Sequence, residues 1–290
     1  MHNPLKIRMI PNNKSDKPRL FSRIFVLLIS ILSFIDLYAA TLTTNSQQAL
    51  QTAINAGGEI TFGFSGTMNL TTPLVVANDI TIDGAGQNIT LNGGYTANTT
   101  NQTYSGTRIF IVNSGARLVL KNLTISSGVS SNGGAIYVSG GGSLYVSNCV
   151  FNSNRALGNK GVNGQNGNNT TSVGGNGSSG GTAYGGAIYN EGDIILIKSV
   201  FSDNLAAGGN GGNGGNGGNG DFAGGNGGAG GNGGIARGGA LYNSGAAQII
   251  DCSFYQNSAI GGSGGTGGTN GVGAMYGRIG QGGAGADGSG

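Results

Sequence analysis

The chain has 290 residues, of which 63 are glycine, and its formal net charge at neutral pH is +3. Glycine is about three times as frequent as in ordinary globular proteins and only 9% of residues are charged, which excludes a helical enzyme of ordinary composition. The hydrophobic fraction of 37% still allows a packed core if the apolar residues are gathered in part of the chain.

The first 40 residues, 1–40, are predicted to be a secretory signal peptide. Six basic side chains precede a run of about 12 mostly apolar residues, which is shorter than the roughly 20 residues that a bilayer-spanning helix needs. The small residues Ala39 and Ala40 then provide a cleavage site. Removal of this leader leaves eight basic and nine acidic side chains, so we expect no basic surface for nucleic acid. It also removes His2, the only histidine, and with it any histidine base or metal ligand.

The remaining chain opens with a predicted helix over residues 45–56, where apolar residues from Ala49 to Ile54 recur at helical spacing and two glycines follow. After residue 58 the pattern changes to apolar runs of three to five residues, separated by Gly, Asn, Asp or Ser. Runs of this length with turn-forming residues between them predict short β-strands.

Three sequence units share a Gly-Gly-Ala-(Ile/Leu)-Tyr start and a Phe-x-x-Asn finish. The first unit covers residues 133–156, the second 185–206 and the third 238–259, so their starts are 52 and 53 residues apart. Self-similarity at a long period is typical of repeat architectures, in which one unit cannot bury its apolar face alone. Each unit contains three short apolar runs and therefore predicts one coil of a three-sided solenoid.

Stacking of these coils predicts columns of equivalent side chains. Identical Asn side chains favour a ladder at a turn, because each amide can donate to the next carbonyl. The opening helix is expected to cover the strand edges of the first coil. The expected aliphatic, phenylalanine and asparagine columns are Ile136, Ile188 and Leu241; Phe151, Phe201 and Phe254; and Asn154, Asn204 and Asn257.

The chain between and after the units is rich in Gly and Asn and contains too little apolar surface to form a core of its own. We therefore expect residues 157–184 and 207–237 to be flexible inserts that loop out of a β-helix spanning residues 41–259. Residues 260–290 are expected to be a flexible glycine-rich tail.

The three pairs of GGA(I/L) and FxxN motifs resemble the repeats of chlamydial-type polymorphic outer-membrane proteins. Residues 57–126, which include the run DITIDGAGQNITLNGG, look like the opening coils of pectin-lyase-like right-handed parallel β-helices. Together the resemblances cover about residues 45–259. They imply an all-β, right-handed parallel β-helix in a secreted or outer-membrane-associated, adhesin-like passenger. Family members usually carry a carboxy-terminal membrane β-barrel, whereas this sequence finishes in GADGSG without ten-residue amphipathic strands, so we expect no membrane-spanning barrel in it.

An enzyme of this fold needs carboxylates gathered on one face, or a Ca²⁺ site beside a basic residue. Alternation in an extended segment directs Glu191 and Asp193 to the same side, which keeps a carboxylate pair open as an alternative. Without histidine the polygalacturonase-like motif set is absent, and we expect no catalytic, metal or cofactor site. The acidic residues after the leader are expected to be mostly turn-forming or solvated; they are Glu59, Asp79, Asp83, Glu191, Asp193, Asp203, Asp221, Asp251 and Asp287.

Two further residue types occupy equivalent positions of the units. Cys149 and Cys252 belong to the first and third units, so stacked coils place their sulfurs about 10 Å apart, too far for a disulfide. An aromatic column is also expected, either packed against its neighbours or turned outward to bind a sugar ring or a protein. Its members are Tyr137, Tyr189 and Tyr242.

These observations predict a secreted or cell-surface, non-enzymatic β-helix protein of adhesin type. We expect it to act as a monomer on glycan or protein surfaces of a host cell or the extracellular space. Two alternatives stay open. The first is a polysaccharide lyase or hydrolase of the pectin-lyase-like fold, because fold does not decide function, and the second is a truncated product without an independent role.

Overall fold

The computed structural model describes residues 39–98, 103–168, 173–220, 224–273 and 288–289. Within these ranges the chain is all-β, with one helix, α1 (Gln47–Ala56). The predicted leader lies outside the described residues except for Ala39 and Ala40, which belong to the first strand. The strands are β1 (Ala39–Leu42), β2 (Gly58–Phe62), β3 (Gly66–Asn69), β4 (Leu74–Val76), β5 (Ile80–Asp83), β6 (Ile89–Asn92), β7 (Thr96–Asn98), β8 (Thr103–Ser105), β9 (Phe110–Val112), β10 (Arg117–Lys121), β11 (Leu123–Ser126), β12 (Val129–Ser130), β13 (Ile136–Val138), β14 (Ser143–Ser147), β15 (Val150–Asn152), β16 (Arg155–Leu157), β17 (Ala183–Tyr184), β18 (Ile188–Asn190), β19 (Asp193–Ile197), β20 (Val200–Ser202), β21 (Leu205–Ala207), β22 (Ala236–Arg237), β23 (Leu241–Asn243), β24 (Ala246–Ile250), β25 (Ser253–Tyr255), β26 (Ser258–Ile260) and β27 (Gly288–Ser289).

Parallel pairing between strands that are remote in sequence organises the described chain. The three main sheets have the orders β1-β2-β5-β10-β14-β19-β24, β3-β6-β11-β15-β20-β25 and β4-β9-β13-β18-β23. Two smaller parallel sheets have the orders β12-β16-β21-β26 and β17-β22-β27, whereas β7 and β8 form an antiparallel hairpin. Consecutive strands of a unit enter different sheets, so equivalent residues of successive units become neighbours within each sheet.

The predicted aliphatic and phenylalanine columns are confirmed by the strand register. The three aliphatic positions are aligned across β13, β18 and β23, and the three phenylalanines across β15, β20 and β25. Ring centroids in the phenylalanine column lie 4.6 and 4.7 Å apart, with nearly parallel planes. Residues alternate across each strand: Ile136 and Val138 are fully buried, whereas Tyr137 between them is half-buried.

The asparagine ladder is confirmed as well. Asn154 Nδ2 donates to Asn204 Oδ1 at 3.0 Å, and Asn204 Nδ2 donates to Asn257 Oδ1 at 2.9 Å. Asn204 Oδ1 also accepts the backbone N–H of Asn154, and Asn257 Oδ1 also accepts the backbone N–H of Asn204. Because Asn154 and Asn204 are almost fully buried, the ladder supplies partners to backbone groups that water does not reach.

Helix α1 covers the outer edge of β4, the first strand of its sheet. Ser46 caps the helix, and Leu50 and Ile54 are buried in the core. The side chain of Gln51 takes the place of a neighbouring strand: its Nε2 donates to Val75 O at 3.0 Å, and its Oε1 accepts from Val75 N at 2.9 Å. The prediction that the opening helix covers the strand edges of the first coil is therefore confirmed for β4. No helix within the described ranges has the length and apolarity that crossing a membrane requires.

The glycine-rich chain between and after the units forms an ordered, hydrogen-bonded array. It has five segments, numbered here in chain order: 158–168, 173–182, 208–220, 224–235 and 261–273. Segments 1, 3 and 5 run parallel to one another in one layer, where for example Gly161 N donates to Asn210 O. Segments 2 and 4 form a second layer antiparallel to the first, and the layers are joined by bonds such as that from Gly212 N to Ser178 O.

Hydrogen-bond donors recur at every third residue of a segment. In segment 3, Gly211, Gly214, Gly217 and Gly220 donate to segment 5, while Gly209, Gly212 and Gly215 donate to segment 2. A period of three with bonds to neighbouring segments indicates the polyproline II conformation, which has three residues per turn and no internal hydrogen bonds. The exposed asparagine of each Gly-Gly-Asn triplet adds a third bond, as when Asn213 Oδ1 accepts from Thr266 N at 3.1 Å.

Close approach of the segments explains why two residues of every triplet in segment 3 are glycine. A Cβ atom on Gly212 or Gly215 would overlap a carbonyl oxygen of segment 1, and one on Gly211 or Gly214 would overlap a carbonyl oxygen of segment 4. The α-hydrogens of these glycines instead face the carbonyl oxygens, an arrangement that forms weak Cα–H···O contacts.

The structure thus differs from the expectation of flexible inserts that loop out of the sheets. The segments need no hydrophobic core, because the amides of their triplets pair with the same layer, with the opposite layer or with an asparagine side chain. The expected flexible tail joins the array over residues 261–273 as segment 5, whereas residues 274–287 lie outside the described ranges.

Candidate binding surface

The unit tyrosines form a stacked column on the outer face of the sheet that contains β13, β18 and β23. Tyr137 is in register with Tyr189, and Tyr189 with Tyr242. Their ring centroids are 5.5 and 5.2 Å apart, and the ring planes are inclined by only 17° and 16°. Strand alternation turns the rings away from the core, and each ring covers the face of the next. The column is therefore half-buried, and it offers ring edges rather than ring faces to a partner.

A carboxylate links the first two tyrosines. Glu191 Oε2 accepts a hydrogen bond from Tyr137 OH at 2.5 Å, and its Oε1 accepts one from Tyr189 OH at 3.0 Å. The hydrogen bond to Glu191 and burial raise the pKa of Tyr137, while burial and then Glu191 raise the pKa of Tyr189 to about 12. Both phenols therefore stay protonated donors at neutral pH and hold the carboxylate across two units.

Arg108 adds a cation to the column. Its guanidinium carbon lies 5.2 Å from the centroid of the Tyr137 ring, within the range of a cation–π interaction. Hydrogen bonds to Gly133 O at 3.0 Å, to Ser130 Oγ at 2.6 Å and to Asn132 O fix the side chain in place. Burial lowers the pKa of Arg108 to about 10, so it remains charged at neutral pH.

Tyr184 enlarges the aromatic surface. Its ring centroid lies 4.8 Å from that of Tyr242 and 6.3 Å from that of Tyr189. The motif comparison missed both Tyr184 and Arg108, because they lie outside the repeat units. The one signal in the sequence was that Tyr184 directly precedes the Gly-Gly start of the second unit. In the structure Tyr184 belongs to β17, which pairs with β22.

The proposed carboxylate pair of Glu191 and Asp193 does not form a site of its own. Both side chains are exposed, with the buried Gly192 between them, as alternation predicts. However, the two oxygens of Glu191 are engaged by the tyrosine hydroxyls, and Asp193 begins strand β19.

Among the other acidic residues that the structure describes, Asp79, Asp83, Asp203 and Asp251 lie at turns or strand ends, as expected for most of them. Asp83 accepts hydrogen bonds from Asn122 Nδ2 at 2.7 Å and from Ala85 N at 2.8 Å, the second closing a turn. Asp203, between β20 and β21, and Asp251, between β24 and β25, adopt positive φ angles of 55° and 52° in two different turns of their units. Within the described ranges, no group of three Asp, Glu, His or Cys side chains is placed to hold a metal ion. For the others, Asp79 accepts from a backbone amide, Glu59 lies in β2, and Asp221 and Asp287 lie outside the described residues.

Two surface grooves are lined by neutral side chains. One, of about 430 Å³, lies beside the turn at 84–88 and is lined by Thr90, Thr124 and Asn148 among others. The second, of about 600 Å³, lies between α1 and β4 and is lined mainly by glutamine and threonine. Neither lining contains an acidic or a basic residue, whereas a glycoside hydrolase needs two carboxyl groups at the bond that it cleaves.

The two cysteines are free, in agreement with the spacing argument. Ser199 occupies the position between them, and its Oγ accepts the backbone N–H of Cys149 at 3.1 Å. Burial raises the pKa of the Cys149 thiol to about 12, so it is an inert core residue rather than a nucleophile.

No protein-family model, no curated protein and no solved structure matches the chain. The resemblance of its motifs to the polymorphic outer-membrane proteins therefore stays a prediction from the sequence.

Proposed function

We propose that the chain is a three-sided, right-handed parallel β-helix that acts as a secreted or surface-displayed binding module without catalytic activity, in the manner of adhesin-like passengers. The order in which strands enter the sheets supports the winding. Strands β13, β14 and β15 enter the three main sheets in the same order as β18, β19 and β20, and as β23, β24 and β25. Crossovers between parallel strands of one sheet are right-handed in nearly all proteins, which supports the handedness.

The tyrosine column is the observation that carries the binding role. Tyrosine and arginine supply a large share of the binding energy in protein interfaces, because they combine apolar area with hydrogen-bonding groups. Here three stacked tyrosines, Tyr184 and Arg108 meet on one outer face. Since the ring faces cover one another, stacking of sugar rings along the column is restricted. The geometry therefore favours a protein surface as partner, with glycans as the second class to test.

The placement of the carboxylates favours a scaffold over an enzyme. Glu191 holds two tyrosines, Asp83 belongs to a side-chain ladder at a turn, and the described grooves are neutral. General acid–base cleavage of a glycosidic bond needs two carboxyl groups on either side of the bond.

The test is binding of the secreted chain to host-cell surface extracts and to a glycan array, with a lyase assay on acidic polysaccharides in parallel. Tyr189→Ala and Tyr242→Ala should raise the dissociation constant for a captured partner at least tenfold, about 1.4 kcal/mol. Tyr145→Ala is the matched control, because Tyr145 is half-buried on the outer face of β14 and outside the column. Equal effects of all three variants, or cleavage of a polysaccharide, would contradict the proposal.

A further inference from the structure

The outer face that carries the tyrosine column has a basic edge. Strands β4, β9, β13, β18 and β23 run parallel, so the residues that lead into them lie along one edge of their sheet and the residues that follow them lie along the other. Arg108 leads into β9 and Arg237 leads into β23, whereas Glu191 follows β18 at the opposite edge. These two arginines are the only charged residues in the five leading stretches, which are 71–73, 106–109, 131–135, 183–187 and 236–240.

Arg108 is a half-buried cation that has no negatively charged partner in the described part of the chain. Its Nε and Nη2 donate to two backbone carbonyls and a serine hydroxyl, and its guanidinium lies over the neutral ring of Tyr137. Its Nη1 has no hydrogen-bond partner within the described ranges. A charge-assisted hydrogen bond is about twice as strong as a neutral one. A carboxylate at Nη1 would therefore compensate a cation that is partly removed from water.

Arg237 supplies a second cation on the same face. It is in register with Tyr184, which is bridged in turn to Asn132, so the three side chains form one column. The guanidinium of Arg108 bonds to Asn132 O and lies in the layer of Asn132, two layers before Arg237. At the spacing of neighbouring strands, two layers correspond to about 10 Å. Arg237 is exposed, and its side chain has no hydrogen-bond or ion-pair partner among the described residues.

We propose that the partner of the tyrosine column is an acidic protein segment, with one carboxylate bound by Arg108 and a second bound by Arg237. This inference rests on the proposed binding role and names the chemistry of the partner. Tyr184 lies in the layer between the two arginines and stacks on Tyr242, so the segment meets aromatic surface between its two charges. Opposite charges across an interface favour association and exclude basic partners.

Glu191 does not oppose this pattern of charge. Both of its oxygens accept hydrogen bonds from tyrosine hydroxyls, and it lies at the edge away from the arginines. A basic partner would have to compete with these phenols for the carboxylate, whereas an acidic partner finds Nη1 of Arg108 and the whole guanidinium of Arg237 available. The charges of the face therefore favour an acidic segment.

Binding of capped, fluorescent dodecapeptides to the secreted chain tests the proposal by fluorescence anisotropy. A peptide of glutamate should bind and weaken as salt is added, whereas peptides of glutamine and of lysine should not bind. Arg237→Gln and Arg108→Gln should each raise the dissociation constant of the glutamate peptide at least tenfold. The matched control is Arg117→Gln, which removes the same charge from an exposed position of β10 in another sheet and should leave the dissociation constant unchanged.

Two comparisons separate this inference from a folding defect and from the proposed binding role. Arg237 is exposed and without contacts, so Arg237→Gln tests the charge even where Arg108→Gln proves to be destabilised in circular dichroism and thermal unfolding. The binding role itself fails if Tyr189→Ala leaves the partner captured from host-cell extracts bound as before. The inference alone fails if Tyr189→Ala weakens that partner while Arg237→Gln does not. Failure of the glutamate peptide to bind, an equal effect of Arg117→Gln, or tighter binding of a heparin fragment than of the peptide would also overturn it.

Discussion

Replacement of Asn204 by alanine should be among the most destabilising single changes in the chain. The side chain makes four hydrogen bonds: it accepts from the backbone N–H and from Nδ2 of Asn154, and it donates to Phe151 O and to Asn257 Oδ1. Each bond contributes about 1 kcal/mol net, and a buried group left without a partner costs at least as much. Asn204 is 1% exposed, so water cannot replace the lost partners. We expect Asn204→Ala to lower the free energy of unfolding by about 4 kcal/mol.

The matched control is Asn257→Ala, at the same position of the third unit. Its Oδ1 accepts from the backbone N–H and from Nδ2 of Asn204, and its Nδ2 donates to Phe201 O, but Asn257 is half-buried, so water substitutes for part of what is lost. Its replacement removes three bonds, of which water recovers part, and should cost about 2 kcal/mol. Guanidinium denaturation measures both values, and hydrogen exchange locates the loss, since repeat proteins do not always unfold in one step. Equal costs for the two variants would refute the argument that burial of the ladder determines its energy.

Two further predictions concern the glycine array and the tyrosine column. Gly215→Ala should abolish amide protection in segments 1 and 3, because its Cβ would overlap Gln165 O, whereas Gly140→Ala should be tolerated because the nearest atom lies 3.9 Å away. Protection retained in Gly215→Ala would show that the segments do not approach as described. The pKa of tyrosine in an unfolded chain is about 10, and folding raises the pKa of Tyr189 to about 12. Its contribution to stability should therefore be complete below about pH 10 and be lost as the pH rises toward 12. Unfolding at several pH values, compared between wild type and Tyr189→Phe, measures this loss, and Glu191→Gln should reduce it only in part, because burial is the larger cause. Identical pH dependence in wild type and Tyr189→Phe would contradict the assignment.

The columns could be predicted from the sequence because the three units repeat identical residue types at identical offsets. Stacking of Phe151 on Phe201 and of Asn154 on Asn204 needs no information beyond that alignment, once one unit is assigned one layer. Helix α1 could also be predicted, because its apolar spacing and the glycines after it are local signals in the sequence.

The glycine array could not be predicted from apolar content, because its stability comes from backbone hydrogen bonds between remote segments. Gly161 bonds to Asn210 and Gly212 to Ser178, which are contacts that hydrophobic patterning does not report. The strict period of three in residues 208–220 was the available signal. Arg108 was missed for another reason: its position over Tyr137 depends on the path of a turn outside the repeat.

The triplet period of the array limits how the gene can vary in length. Insertion of one whole triplet into segment 3 keeps small residues at the crowded positions and lengthens the segment by about 9 Å. Insertion of one residue instead moves an asparagine to the place of Gly211 or Gly214, and insertion of two residues moves one to the place of Gly212 or Gly215. In each of these places its Cβ has no room. Expansion and contraction of the underlying DNA repeats should therefore survive in steps of nine nucleotides, leaving the strands on either side unaltered.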